Sequence, residues 1–230
     1  MASRVPAKKS AAPTRRDQAV ARVLDPARTR AEVRVERFLD AARELMSAKG
    51  NDFTVQDVVE RSGQSLRGFY QHFDGKYELL LALFEDSVAA SAVEVGRYVD
   101  EEATPLDRLH RFVVEYFRLC RPPTSRARRS RKTPPALAEF AQQLLNEHPA
   151  EAGRAFRPLV DILDGLLDEA ARDGAIREHP RRRRIAGFVL QSIMFNAYIS
   201  TINASGSRAT DLTDAEDMWT LLFAGLRPAG

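Results

Sequence analysis

From Val35 onward apolar side chains return every three or four residues, and no convincing two-residue alternation appears anywhere in the 230 residues. A period near 3.6 lays apolar groups along one face of a helix, whereas a half-buried strand needs alternation, so the chain is restricted to an all-α architecture. Val35, Phe38, Leu39, Ala42, Leu45 and Met46 form the first stripe, which stops at Lys49-Gly50, a basic residue followed by a helix-ending glycine. Thr54 opens a short helix carrying Val55, Val58 and Val59, with Asp57 three residues on as its capping partner. Ser62-Gly63 ends it, and Ser65 caps a third short helix with Leu66, Phe69, Tyr70 and Phe73 on one face. Asp74-Gly75 breaks that helix, and a long one follows from Lys76 with Tyr77, Leu80, Leu81, Phe84, Val88, Ala92 and Val95 inward. Further helix starts are marked at Thr104-Pro105, Pro134-Pro135, Pro149 and Pro180, because proline suits the first helical turn, and at the capping box Thr213-Asp214-Ala215-Glu216. About nine helices result, with Pro158 expected to kink or restart the seventh.

Composition removes several classes. Hydrophobic residues make up 44% and charged ones 29% of the chain, enough apolar material to bury a core. A single cysteine, Cys120, excludes a disulfide framework and a multi-cysteine metal site. The most apolar run, Ile185 to Ile202, is interrupted by Gln191, Ser192, Asn196, Ser200 and Thr201, so no membrane span is expected. No apolar stretch follows the first charges, so a secretory signal is not expected either. A reduced, cytoplasmic protein without a metal or cofactor is the expectation. Charge is distributed unevenly: residues 1–77 hold 15 basic and 10 acidic side chains, and most of that excess falls before residue 29. Residues 1–29, rich in Ala, Pro, Lys, Arg and Ser, are expected to be a flexible basic arm.

Between Thr54 and Lys76 two short helices flank a Ser62-Gly63-Gln64 turn, the pattern that lets a second helix project into a major groove. The succession Phe53-Thr54-Val55, Val58-Val59, Ser62-Gly63, Phe69-Tyr70-Gln71-His72-Phe73 and Lys76 resembles the DNA-binding domain of TetR-family transcriptional regulators. That family opens its second helix with threonine, closes the recognition helix with Tyr-x-His-Phe and opens the fourth helix with lysine. The resemblance covers about Arg34 to Glu85 and implies a DNA-binding domain over 30–76. It also implies roles. Thr54, Tyr70, His72 and Lys76 would hold phosphates, and Ser65, Leu66 and Arg67 would meet base edges, with Arg67 able to read guanine. Tyr70 also falls on the core stripe, and Arg67 could instead pair with a surface carboxylate. Three residues depart from the family pattern: Gln64 in the turn, Arg67 at a usually small position, and Gly68 where a hydroxyl is common. Each is a further candidate for the DNA-facing surface.

The resemblance further implies that residues 77–230 bind a small molecule and dimerise through the last two long helices, about 183–203 and 213–227. The first of these is apolar on more than one face and must be covered on both sides. Candidate ligand contacts are Phe84, Phe112, Phe117, Phe140 and Leu144, with His110, Tyr116, Gln142 and Asn196 as polar anchors and a mostly apolar effector as the expected ligand. Two basic runs stand apart, residues 122–135 between paired prolines and Arg181 to Arg184 at a helix start; the first reads as an exposed loop, the second as an anion site or plain surface. No Gly-rich phosphate loop, paired His-x-x-x-His ligands or nucleophile–base pair is recognisable, and the four histidines stand in unrelated contexts. The chain is therefore expected to be a ligand-responsive repressor released from a palindromic operator. A helical adaptor that binds protein only is the rival reading.

Overall fold

The computed structural model describes residues 15–120, 136–203 and 213–227. Within them ten helices are present and no strand. They are α1 (Arg15–Lys49), α2 (Val55–Ser62), α3 (Leu66–Tyr70), α4 (Lys76–Asp100), α5 (Pro105–Cys120), α6 (Ala136–Glu147), α7 (Pro149–Ala155), α8 (Arg157–Arg172), α9 (Arg182–Asn203) and α10 (Thr213–Leu226).

Three boundaries differ from expectation. The basic arm cannot extend to residue 29, because the chain is helical from Arg15 and runs without a break into α1. Residues 15–29 are mostly good helix formers, a propensity that composition had masked, and Arg28 and Glu32 pair one turn apart. Pro26 sits inside this helix, on a stretch with exposed side chains. The arm before Arg15 and the loop 122–135 lie outside the described residues. The expected seventh helix is two, α7 and α8. Pro158 has no N–H to donate to the preceding turn, so α7 closes with the Phe156 N–H donating to Ala152 at 2.9 Å and α8 restarts at Arg157. The third helix ends at Tyr70 rather than Phe73.

Two packing centres follow. In the first, α1, α2, α3 and the start of α4 enclose Phe38, Met46, Phe53, Val58, Phe69, Phe73 and Leu79. Phe38 meets Phe69 and Phe73 edge-on, at centroid distances of 5.4 and 6.2 Å. In the second, α4, α5, α8 and α9 pack on one another and α10 packs on α5. Their core is mainly aliphatic, with Leu83, Leu109, Leu144, Leu159, Leu163 and Ile193 fully buried among others. The long α4 belongs to both centres.

Candidate nucleic-acid interface and effector cavity

The helix-turn-helix is built by caps. Thr54 is the N-cap of α2: its N–H and hydroxyl both donate to the Asp57 carboxylate, at 2.7 and 2.6 Å, and the Asp57 N–H donates back to Thr54 Oγ1 at 3.2 Å. The Thr54 hydroxyl, its N–H and the ammonium of Lys49 hold the Asp57 carboxyl well below the usual carboxylate range. Gly63 ends α2 with φ +64°, a left-handed conformation that favours glycine. There the N–H groups of Gly63 and Gln64 donate to Glu60 and Val59, each at 3.3 Å. Ser65 then caps α3, its hydroxyl accepting the Gly68 N–H at 3.0 Å. A Cβ at Gly68 would stand 3.1 Å from that hydroxyl, so the glycine leaves room for the cap.

Because Phe69 anchors α3 with no exposure, the rest of this short helix points outward. Leu66 is 45% and Tyr70 55% exposed, and Ser65 and Arg67 are exposed beside them. These four, with Gln64 in the turn, form the face available to a duplex. Three expected phosphate ligands are placed differently. Thr54 has committed both of its donors to Asp57. Lys76 donates to the carbonyls of Asn51 and Phe53, at 2.5 and 2.6 Å, and lies over the Phe53 ring. It therefore ties the first turn of α4 to the loop before α2. The Nε2 of His72 is buried with no hydrogen-bond partner, so it is enclosed by the domain. A helix opening and a following lysine could serve fold or phosphate equally, and periodicity does not distinguish them.

The expected ligand residues divide in the same way. Phe112, Phe117 and Leu144 are fully buried and Phe84 and Phe140 nearly so; Phe84 packs edge-on against Phe140 and Phe156. They are core. His110 is 2.8 Å from Glu216 and packs against Trp219, fastening α10 to α5. Asn196 is exposed on α9. Tyr116 does line a cavity, of about 160 Å³, together with Leu145, Ala152, Gly153, Phe156, Val160, Gly187, Leu190, Gln191 and Met194, among others. Burial and a hydrogen bond to Cys120 push the Tyr116 phenol well above its ordinary value, so it is neutral. Gln142 lines an adjoining cleft of about 390 Å³ with Phe188, Ser192 and Phe195, and the two spaces share Leu145, Gln191 and Met194.

The α7–α9 wall was not foreseen, although it had a signal. Gly153 and Gly187 lie inside helices, where glycine is costly, and a Cβ at either would meet nothing within 4 Å. They leave volume empty. Within the Arg181–Arg184 run, read as an anion site or solvated surface, two arginines have intramolecular partners. Arg183 pairs with Asp161 at 2.6 Å, and Arg182 pairs with Asp164 at 2.9 Å and with Asp168. Asp161, Asp164 and Asp168 share one face of α8 at intervals of three and four.

Two contacts join the centres. The Tyr77 hydroxyl at the start of α4 donates to Glu151 of α7 at 2.5 Å, with the Tyr77 ring against Phe140 and His148. The Asn51 amide donates to the Ala136 carbonyl of α6 at 3.4 Å.

A capped helix-turn-helix carried on an all-helical body with a cavity is an architecture used by helical DNA-binding regulators. Residues 38–83 match the family described as "Bacterial regulatory proteins, tetR family". Solved structures agree in fold. A TetR-family transcriptional regulator from Pectobacterium atrosepticum superposes with a TM-score of 0.68 at 20% identity, covering 88% of this chain and 98% of the other. FadR from Bacillus subtilis, solved with stearoyl-CoA, gives 0.64 at 19% identity over 84% and 99%. RolR, solved with resorcinol, gives 0.63 at 16% identity over 86% and 89%. No curated protein sequence matches the chain significantly. Among the described residues no helix is long and apolar enough to cross a membrane, and no cluster of three or more His, Cys, Asp or Glu could hold a metal ion.

Proposed function

We propose that the protein is a dimeric repressor that holds a palindromic operator and releases it when a small, mostly apolar effector enters the cavity lined by Tyr116, Phe156, Leu190 and Met194. The observation that carries this reading is the opening of α3: on a domain where Arg43, Lys49 and Arg61 are held in ion pairs, Leu66, Arg67 and Tyr70 stand outward. Arg67 would read a base edge, and Tyr70 with the N-terminal end of the helix would fix register on phosphates. Thr54, His72 and Lys76 would support that docking by holding the domain together.

Two copies would pair through α9 and α10. Buried Ala186, Val189, Leu190, Ile193 and Ala197 cover one side of α9, whereas Phe188 is 68% and Phe195 59% exposed on the other, and Leu221 of α10 is 71% exposed. Large aromatics so exposed favour a protein partner, and a two-fold copy offers the same patch in return. The small cavity suits a compact effector of the size of a substituted ring. The bulk of an acyl-CoA would need the adjoining cleft as well. An effector wedged against α7 would act on Glu151 and hence on Tyr77 at the root of α4, changing the spacing of the two recognition helices relative to successive major grooves.

Selection of bound duplexes from a random pool tests the reading. A two-fold symmetric consensus is expected, and binding that falls steeply with salt should accompany it. Absence of any selected sequence would favour the protein-binding adaptor.

A further inference from the structure

The charge distribution poses a question that the helix-turn-helix does not answer. Residues 29–77 hold eight basic and eight acidic side chains, yet this unit is the one that must approach a polyanion. Where the charges stand, rather than their sum, resolves the difficulty. Arg43 pairs with Asp40 and Asp86, Lys49 with Asp57, and Arg61 with Glu44. Lys76 is spent on two carbonyls. That leaves Arg30, Arg34, Arg37 and Arg67 as the exposed cations of this unit whose side chains show no ion pair or hydrogen bond among the described residues.

Three of the four are neighbours. Arg30, Arg34 and Arg37 recur at intervals of four and three, so they fall on one face of α1, while Glu32 and Glu36 are turned away by more than a third of a revolution from the middle of that row. With Thr29, Val33 and Gln64 they line an open cleft of about 370 Å³. Gln64 is the residue before Ser65, the cap of the recognition helix. The cleft thus begins where the reading face ends.

We propose that Arg30, Arg34 and Arg37 form a second DNA-binding strip that grips the sugar–phosphate backbone beside the groove entered by α3, with the Gln64 amide bridging the two surfaces. The inference rests on the DNA-binding reading above. The row extends about 10 Å along the helix axis, and one strand of a duplex presents a phosphate about every 3.4 Å of its own axis, so three arginines can each meet a different phosphate. Guanidinium groups without a carboxylate partner suit this role, because no existing ion pair has to break before the phosphate is bound. The strip carries no base readout. It supplies the sequence-independent part of affinity that a net-neutral reader otherwise lacks.

The test is equilibrium binding of the full chain to its selected operator and to a scrambled duplex between about 50 and 200 mM salt, the range over which counterion release is read. The variant carries Arg30→Gln, Arg34→Gln and Arg37→Gln together. A control places the same number of glutamines at Arg97, Arg157 and Arg172, away from the reader. For the strip variant the slope of log K against log salt should become shallower by about 0.9 for each phosphate that is no longer neutralised, which at 0.1 M salt is roughly an eightfold fall in affinity per phosphate. Operator and scrambled duplex should weaken by similar factors, the preferred sequence should persist, and the control should match wild type. Arg34→Gln alone should show about a third of the change, which keeps the test available if the triple variant fails to fold. A wild type that selects an operator, with slope and affinity unchanged in the variant, overturns the strip and leaves the reader intact. A wild type that selects no duplex overturns the DNA-binding reading and the strip with it.

Discussion

The helix-turn-helix unit packs around a small aromatic hub and leaves the side chains of Arg30, Arg34, Arg37 and Arg67 without an ion pair among the described residues. In the body Arg182 pairs with Asp164 and Arg108 with Glu169, while the mainly aliphatic core leaves a void where Gly153 and Gly187 supply no side chain. One region is marked by charge without a partner and the other by volume without an occupant. Partnerless charge costs little at a wet surface and can be matched later by a phosphate. Empty apolar volume forfeits dispersion attraction, and the body bears it because a large core surrounds it. A candidate site is therefore found in each region by asking what its own chemistry leaves unsatisfied.

The largest effect should come from the hub. Phe38 is fully buried and meets both Phe69 and Phe73, so Phe38→Ala should cost about 3–5 kcal/mol and abolish duplex binding with it. Met194→Ala at the cavity wall, where side chains already border open space, should cost clearly less. Denaturant melts of both variants check this. Equal losses would break the contrast between a hub with no slack and a body with some.

Next comes the reading face. The Arg67 side chain has no ion pair or hydrogen bond among the described residues, so Arg67→Ala should leave the melting temperature near wild type. It should cut discrimination between operator and mutated operator by about 1–3 kcal/mol at one base pair per half-site. Competition binding measures it. A fall in stability with discrimination unchanged would move Arg67 from reader to scaffold.

Fold was legible wherever local chemistry decided it. Thr54 with Asp57, the Gly63 turn and the Pro158 restart were each readable because a cap, a left-handed residue or a missing N–H acts within a few positions. Which residues of the proposed reading face stand exposed was legible for a related reason: Phe69 fixes which way Leu66, Arg67 and Tyr70 face. Contacts between distant residues were not. The Arg182 and Arg183 pairs cross from α9 to α8, and Lys76 reaches back 25 residues to Asn51; a charge in a sequence does not state its partner. Aromatics in the body suggested a cavity for the reason they suggest core, and Phe112 and Phe117 proved to be core. The void itself is lined by a glycine of α7 and a glycine of α9, a coincidence of packing that no single stripe contains.

Lys76 separates the two roles a cation can take in the reader. Its bonds to Asn51 and Phe53 make it a staple, so Lys76→Ala should cost about 1–2 kcal/mol of stability, in the range for hydrogen bonds to a charged group that is partly exposed. The salt slope of duplex binding should then stay at its wild-type value under conditions where the variant is folded. A slope shallower by about 0.9 would instead return Lys76 to the phosphate ligands.

The smallest expected effect lies where the regions meet. Partial burial and then the hydrogen bond to Glu151 push the Tyr77 phenol up to about 12, above its ordinary value near 10. A raised phenol contributes stability that is fully present below pH 10 and is lost as the pH climbs through the folded value. Tyr77→Phe should therefore be less stable than wild type by a few tenths to about 1 kcal/mol at pH 8, the ordinary range for one hydrogen bond at a half-exposed site. That gap should narrow between about pH 10 and 12, since the phenylalanine variant has no proton to lose while every other group titrates alike in both proteins. Urea unfolding at pH 8, 10.5 and 11.5 reads the gap directly. If it stays constant across that range, the bond to Glu151 does not act on the stability of the α4–α7 joint. Cavity and reader are then connected there by the Tyr77 ring packing on Phe140 and His148 and by the Asn51 bond to α6.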